Sequence, residues 1–495
     1  MDSVEINLHS GKQLPPGPYV TLAPELLRAV FISCVDSPSA VQEPSYWSHA
    51  RNMQWIAITH VCRYWRSVAL GYTDLWKRLY FFNPDVTKEM IHRSKGINLE
   101  VIIDASLEIH QSIDTSPIIP MVLLELYRIS MLHLVCQEPL ESLVDGFVSA
   151  APKLEHLYLS TFHIPDTIFR ETPALRSLEL HDCQFTSSSP SSGSVSSSDS
   201  RMGQLPSTIS QIVSFLRGTP MLHTLIFDRV LPYENTYETF PNLVLPKLSR
   251  LELTSDITSC TSFLEHIIFP VTADTRVTCY LDPREYYDYG RLFRTFLSVK
   301  GNRKISVLKF EYEVNSYSSL NILCTITHSH QPAPTNLMFE FRTYPGEYEI
   351  YEDILNTAGV TLPLTNPHEL DIVGFRWRWP VINFDSLPNI HTIRFKAYTR
   401  PPEMFLAAFA DNEHPLKLRF LRSLEFFDTR FSRNNISTLM DGLKLRLLSG
   451  IPIEYIRLHR CSNIETETVM RMKEFVQDVE WDRKVFIDEL RYLFQ

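Results

Sequence analysis

Apolar residues along the first eighty positions recur at helical spacing. Leu26, Leu27, Val30 and Phe31 form a stripe behind Pro24 and Glu25. Proline suits the first turn of a helix, and an acidic residue there complements the positive end of its dipole. Residues 36–50 (DSPSAVQEPSYWSHA) hold two prolines among small polar residues and read as a loop. Trp55, Ile58, Cys62, Trp65 and Ala69 then step by 3, 4, 3 and 4, which is one face of an α-helix. Val61 and Val68 widen that face, Arg51, Arg63 and Arg66 lie off it, and Gly71 ends it. DLWKRL starts a third short element, so a three-helix module is expected over residues 19–80. From 81 to 150 the pattern alternates as a connecting segment. LEVIID (99–104) predicts a strand, and IIPMVLLELYRISMLHLV predicts a helix passing into another strand.

A repeat begins at residue 152. PKLEHLYL, PALRSLEL, PMLHTLIF and PKLSRLEL share the order Pro, x, Leu, x, x, Leu, x, Leu/Phe. The order returns as PNIHTIRF (388–395), as FLRSLEF (420–426) and as a shortened PIEYIRL (452–458). ISVLKFEY, TNLMFEF and HELDIVGF are weaker copies, and the boundaries between 255 and 385 are degraded. Leu154 and Leu175 lie 21 residues apart, and Leu222 and Leu248 lie 26 apart. Such periods signal stacked strand-plus-helix units, each burying its apolar face only against its neighbours. The repeats are expected over 151–465, with a disordered serine-rich insertion at 186–204 that contains TSSSPSSGSVSSSDS. Residues 1–18 read as a loose arm, and 466–495 as a largely helical cap.

Composition narrows the function classes. The net charge of −10 over 495 residues argues against a general nucleic-acid or anionic-membrane binder. The eight cysteines are scattered, without C-x-x-C or zinc-like spacing. They are expected to be reduced thiols in a cytoplasmic or nuclear protein, and no metal or cofactor site is expected. The first twenty residues lack the basic start and apolar run of a signal peptide. No P-loop, G-x-G-x-x-G, H-E-x-x-H or G-x-S-x-G occurs, and glycine, at 15 residues, is scarce for a phosphate-cradling loop. His181-Asp182-Cys183 and His459-Arg460-Cys461 place thiols near imidazoles, but adjacency supplies neither an orienting third group nor a cleft. They are expected to be structural, and the chain is read as non-catalytic.

The two halves of the N-terminal module, LAPELLRAVF and WIAITHVCRYWRSVALGYTDLW, together resemble an F-box of the form common in fungi. Its counterparts here are Leu22, Pro24, Glu25, Leu26, Leu27 and Phe31, then Trp55, Val61, Cys62, Arg63, Trp65, Arg66, Val68, Ala69, Leu75 and Trp76. Ala23 stands where the family usually carries a further proline. The resemblance covers roughly residues 20–80 and implies docking to a Skp-type adaptor and, through it, to a cullin. The adaptor-binding residues it implies are Leu22, Pro24, Leu26, Leu27, Phe31, Val61, Cys62, Trp65, Leu75 and Trp76. Independently of the family, three short helices with this many large apolar residues hold more than they can hide internally. The alternative is that these helices only cap the repeats of an interaction scaffold.

The repeats resemble divergent leucine-rich repeats. The expected fold class is therefore α/β, an irregular solenoid with parallel strands and helices outside. Leucines would face the core, and alternate strand residues would form an outward face. Tyr158, Glu179, Asp228, Glu252, Arg394 and Arg457 on that face are candidates for binding a client protein. The early strands lean acidic and the late ones basic, so a client with a basic region toward the early repeats is expected.

Overall fold

A computed structural model describes residues 22–35, 54–80, 84–104, 118–135, 150–161, 163–165, 172–186, 208–232, 241–300, 305–314, 318–326, 334–344, 349–364, 367–374, 387–396, 405–406, 409–410 and 418–484. The expected arm (1–18), the loop at 36–50 and the serine tract lie outside the described residues. The protein is mixed α/β with a large, mostly parallel sheet. It divides into two compact units, residues 1–175 and 176–495.

In the first unit, helix α1 (Pro24–Val35) and helix α2 (Arg63–Gly71) pack together. The stretch between them differs from the expected continuous helix. Gln54–His60 is a 3-10 helix, the chain breaks at Val61–Cys62, and α2 starts afresh. Cys62 is its N-cap, with Sγ accepting from the Trp65 amide at 3.5 Å. The 3, 4, 3, 4 spacing survives because a 3-10 turn and an α-turn can present their apolar residues to one core. A short 3-10 turn, Thr73–Trp76, leads into strand β1 (Arg78–Tyr80). Helix α3 (Pro84–Ser94) and helix α4 (Ile118–Leu123) alternate with strands β2 (Leu99–Asp104), β3 (Ile129–Val135) and β4 (His156–Ser160). The four strands pair in parallel, in chain order. The segment read as a connector, 81–150, is therefore part of this sheet, and the unit runs on to 175. Arg128, almost fully buried, ties the unit together. It donates to Ser94 Oγ and the Ile97 carbonyl, both at 3.0 Å, and pairs with Glu125.

The second unit is built on one repeated local structure. Its strands are β5 (Ser177–His181), β6 (Thr224–Asp228), β7 (Arg250–Asp256), β8 (Asp274–Tyr280), β9 (Ile305–Val314), β10 (Ser318–Ile326), β11 (Thr335–Thr343), β12 (Glu369–Val373), β13 (Thr392–Lys396), β14 (Ser423–Phe427), β15 (Tyr455–His459) and β16 (Asp478–Trp481). The repeated proline occupies the second position of a turn. The amide of the following Leu closes each turn, as in Leu175 to Thr172, Leu222 to Thr219 and Leu248 to Leu245. Proline pre-sets that backbone angle, which is why it recurs. The L-x-x-L-x-L positions are all buried, for example Leu222, Leu225 and Phe227. Directly after the strand, Asp182, Arg229, Gly374, Asp428 and Arg460 take the left-handed conformation. Two residues past the strand end a buried side chain follows. Cys183 and Thr429 donate back to the carbonyls of His181 and Phe427, at 3.3 and 3.0 Å. Helices α5 (Ile209–Leu216), α6 (Ile257–Glu265), α7 (Tyr289–Lys300), α8 (Glu349–Thr361), α9 (Arg433–Leu448) and α10 (Thr466–Met472) connect the strands.

The degraded region, 255–385, holds a departure. The order across the sheet is β8-β11-β10-β9-β12, and β10 runs antiparallel to both of its neighbours. The weak copies ISVLKFEY, TNLMFEF and HELDIV are strands β9, β11 and β12. Of the C-terminal stretch expected to be a largely helical cap, residues 485–495 lie outside the described residues and Thr466–Met472 is helical. After α10 the chain forms β16, which pairs with β15.

Candidate functional site

The N-terminal module separates its apolar residues by depth. Leu27, Phe31, Leu75 and Trp76, expected at an adaptor surface, are buried in the module itself. Neighbouring residues on a helix point in directions about 100° apart, so Leu27 and Leu26 cannot share one environment. Trp76 packs edge-on to Trp55 with ring centroids 5.2 Å apart, and its indole N–H donates to the Ala69 carbonyl at 3.1 Å. Arg93 of α3 lies over the same ring at 4.7 Å. Phe31 meets Trp65 edge-on at 5.4 Å, and the Tyr64 hydroxyl donates to the Leu22 carbonyl at 2.9 Å. Leu22, Pro24, Cys62 and Trp65 are half-buried. Leu26 and Val61 remain 57% exposed and Val30 42%. Val30 was not among the expected contact residues. It lies one turn after Leu26, and that spacing was the available signal.

The outward sheet face carries the six client candidates, and their surroundings differ. In the first unit Tyr158 stacks on His133 with centroids 4.0 Å apart. In the second unit Glu179 and Glu252 flank Ile226 in one cross-strand row. Glu179 accepts from Ser177 at 3.3 Å, and Glu252 from Arg250 at 2.8 Å. Asp228 faces His181 at 3.3 Å; that hydrogen bond, helped by Arg229 and opposed by burial, holds the carboxyl below its ordinary value.

The late strands form an alternating ladder. Lys309, Asp371, Arg394, Glu425, Arg457 and Glu480 are successive register partners from β9 to β16. Arg394 reaches Glu369 at 2.6 Å and both Asp371 and Glu425 at 3.2 Å. Arg457 reaches Glu480 at 3.1 Å. The basic lean read in these strands is thus balanced by Glu369, Asp371 and Glu480. The latter acids lie in the weak copy HELDIV and in the stretch expected to be a helical cap.

The thiol–imidazole pair at the C-terminal end of the repeats is split: Cys461 is buried in the core, whereas His459 is 44% exposed and faces Asp482 at 3.0 Å. The Cys461 thiol donates to the Phe426 carbonyl at 3.4 Å, and burial pushes it up to about 12. A thiol so disfavoured as thiolate is a poor nucleophile. Among the described residues no group of three or more His, Cys, Asp or Glu is placed to hold a metal ion, and no helix is long and apolar enough to cross a membrane. No protein-family model matches the chain, and no curated protein matches it in sequence.

Proposed function

We propose that the chain is a substrate-recognition subunit of a Skp–cullin–F-box ubiquitin ligase, acting in the cytoplasm or nucleus. In this reading residues 19–80 are an F-box that docks a Skp-type adaptor, and the repeats are leucine-rich repeats that hold the client. The observation that carries it is the exposed flank of α1. Leu26 and Val30 present apolar side chains to solvent from a helix whose other face is fixed by Leu27 and Phe31. Exposed apolar positions held on a rigid helix are what a helix-binding partner reads. The turn–strand–left-handed unit with a buried Cys or Thr after it supports the leucine-rich-repeat reading. The chain would perform no bond chemistry. It would raise the effective concentration of client lysines near a charged ubiquitin carrier.

The test is a titration of the full-length chain against a Skp-type adaptor. Leu26→Asp is expected to weaken binding by at least ~10-fold with little change in the unfolding midpoint, because that side chain is mostly exposed. No binding by the folded wild-type chain would overturn the reading. The second reading, a scaffold whose N-terminal helices only finish the repeats, is favoured by one observation. Leu75 and Trp76 are spent on internal packing, the latter beneath Arg93 of α3.

A further inference from the structure

The exposed anchor of α1 sits where a helix is least secure. Leu26 is the third residue of α1, inside its first turn. The amides of that turn have no acceptors within the helix, and helix ends fray. The first backbone bond that closes onto the segment before α1 runs from the Leu27 amide to the Ala23 carbonyl, at 3.1 Å. Leu22 lies one residue further out. It is spaced by four from Leu26, as Leu26 is from Val30, so it leads the same apolar stripe. The middle of α1 has its own supports. Leu27 and Phe31 are buried, and the Arg28 guanidinium lies over the Tyr72 ring at 5.4 Å. None of these contacts reaches the residue that leads the stripe.

Tyr64 does. From the first turn of α2 its hydroxyl donates to the Leu22 carbonyl at 2.9 Å, across 42 positions of sequence. The next residue, Trp65, meets Phe31 edge-on at 5.4 Å. Consecutive residues of α2 thus hold α1 ahead of its first turn and again two turns further on. Tyr64 bonds to backbone, so the tie fixes where the chain enters α1 whatever side chains it carries there.

We propose that Tyr64 is a positioning residue for docking, whose hydroxyl pins the start of α1 so that Leu22 and Leu26 meet the adaptor already in place. This role rests on the ligase reading above. A partner that met a frayed first turn would lose affinity to the ordering of that turn, whereas a pinned turn has given up this freedom before the encounter. Tyr64 acts through Leu22 and Leu26 and needs no contact with the adaptor.

The experiment compares the full-length wild-type chain with Tyr64→Phe, Leu26→Ala and the double variant. Tyr64→Phe keeps the ring and removes the hydroxyl. Adaptor affinity is measured by calorimetry, and hydrogen exchange is followed at the first-turn amides of α1 in the free chain. Tyr64→Phe is expected to weaken adaptor binding about 5-fold, the scale of one part-buried hydrogen bond. First-turn exchange should quicken by a similar factor, with little change in the thermal midpoint. In the Leu26→Ala background the same change should weaken binding by less than about 2-fold, because the anchor it presents is gone. Unchanged affinity in a folded Tyr64→Phe chain would overturn the proposal. A loss of affinity with unchanged exchange, or one equally large without Leu26, would also overturn it, since the hydroxyl would then be a direct contact. A Tyr64→Phe chain that fails to fold would make the hydroxyl general support and overturn it as well. Wild-type chain that is folded but binds no adaptor sinks the ligase reading, and this role with it.

Discussion

At the scale of single residues, backbone geometry decides which positions tolerate change. Gly374 follows β12 in the left-handed conformation, and a Cβ built there would lie 2.1 Å from the Tyr312 carbonyl oxygen on β9. Gly450, also left-handed, has nothing within 4 Å of its Cβ position. Gly374→Ala should therefore cost about 3 kcal/mol or more, since backbone must move. Gly450→Ala should cost about 1 kcal/mol, the ordinary penalty for an L-residue in that conformation. Urea unfolding of the two variants measures the difference. Equal losses would mean that β9 yields easily at Tyr312. Asp182, Arg229, Asp428 and Arg460 hold the equivalent post-strand position without being glycine, and no rule of local composition marks them. What marks them is the repeat, because Asp182, Arg229 and Asp428 follow an L-x-x-L-x-L or L-x-x-L-x-F core, and Arg460 follows its Ile453-x-x-Ile456-x-Leu458 equivalent. The buried Cys or Thr one residue later was legible in the same way, by aligning Cys183 with Thr429 and Cys461.

At the scale of elements, hydrophobic period identified strands well and helices less well. The strands of the repeats alternate buried and outward positions, and a period of two is hard to mistake when every second residue is Leu, Ile or Phe. β10 does not fit the Pro-led repeat template, and Leu323 interrupts the alternation of Leu320, Ile322, Cys324 and Ile326 with Asn321 and Thr325. The segment from Trp55 to Ala69 was read as one helix because apolar spacing is insensitive to a 3-10 turn and a break. The Cys62 cap and the turn from Gln54 to His60 depend on hydrogen bonds that spacing does not encode. Elements also explain the charged ladder. Arg394 and Glu425 are direct partners on β13 and β14, their side chains 25% and 12% exposed. A double-mutant cycle of Arg394→Gln and Glu425→Gln should give a coupling of about 0.5–1.5 kcal/mol, since the pair is shielded but not dry. A coupling near zero would show that Glu369 and Asp371 alone hold Arg394, leaving Glu425 to Arg457, 3.8 Å away.

At the scale of the whole molecule, paired carboxylates in both units set the response to acid. Burial alone would raise the Glu100 carboxyl, but hydrogen bonds from Arg78 and Lys77 hold it below its ordinary value. Burial opposes the same lowering at Glu340, where Arg342 and Arg276 win. In each case the unfolded chain takes up its proton first as pH falls. The stability these groups contribute is therefore complete above about pH 4.5 and lost as pH drops through their folded values. The unfolding midpoint should be level from pH 6 to 8 in this respect and decline below about pH 4.5. Glu340→Gln should lower it at neutral pH yet make the acid decline shallower. A decline as steep as that of the wild type would assign the acid sensitivity to other groups.

The sequence by itself determined the α/β class, the repeated strand with its Pro-led turn, and the position of the N-terminal helices. Those follow from local rules: side-chain period, proline's fixed backbone angle and the need to bury leucines. Tertiary structure alone decided which apolar residues of the module are core and which are surface. Leu26 and Leu27 are identical in chemistry, and only the packing of α2 and Trp65 against one side of α1 tells them apart. It alone reversed β10 within the sheet, brought Glu369 and Asp371 against Arg394, and set Asn321 between Glu340 and Glu311. These outcomes depend on which distant strands lie side by side, and that pairing is a property of the assembled sheet rather than of any stretch of chain.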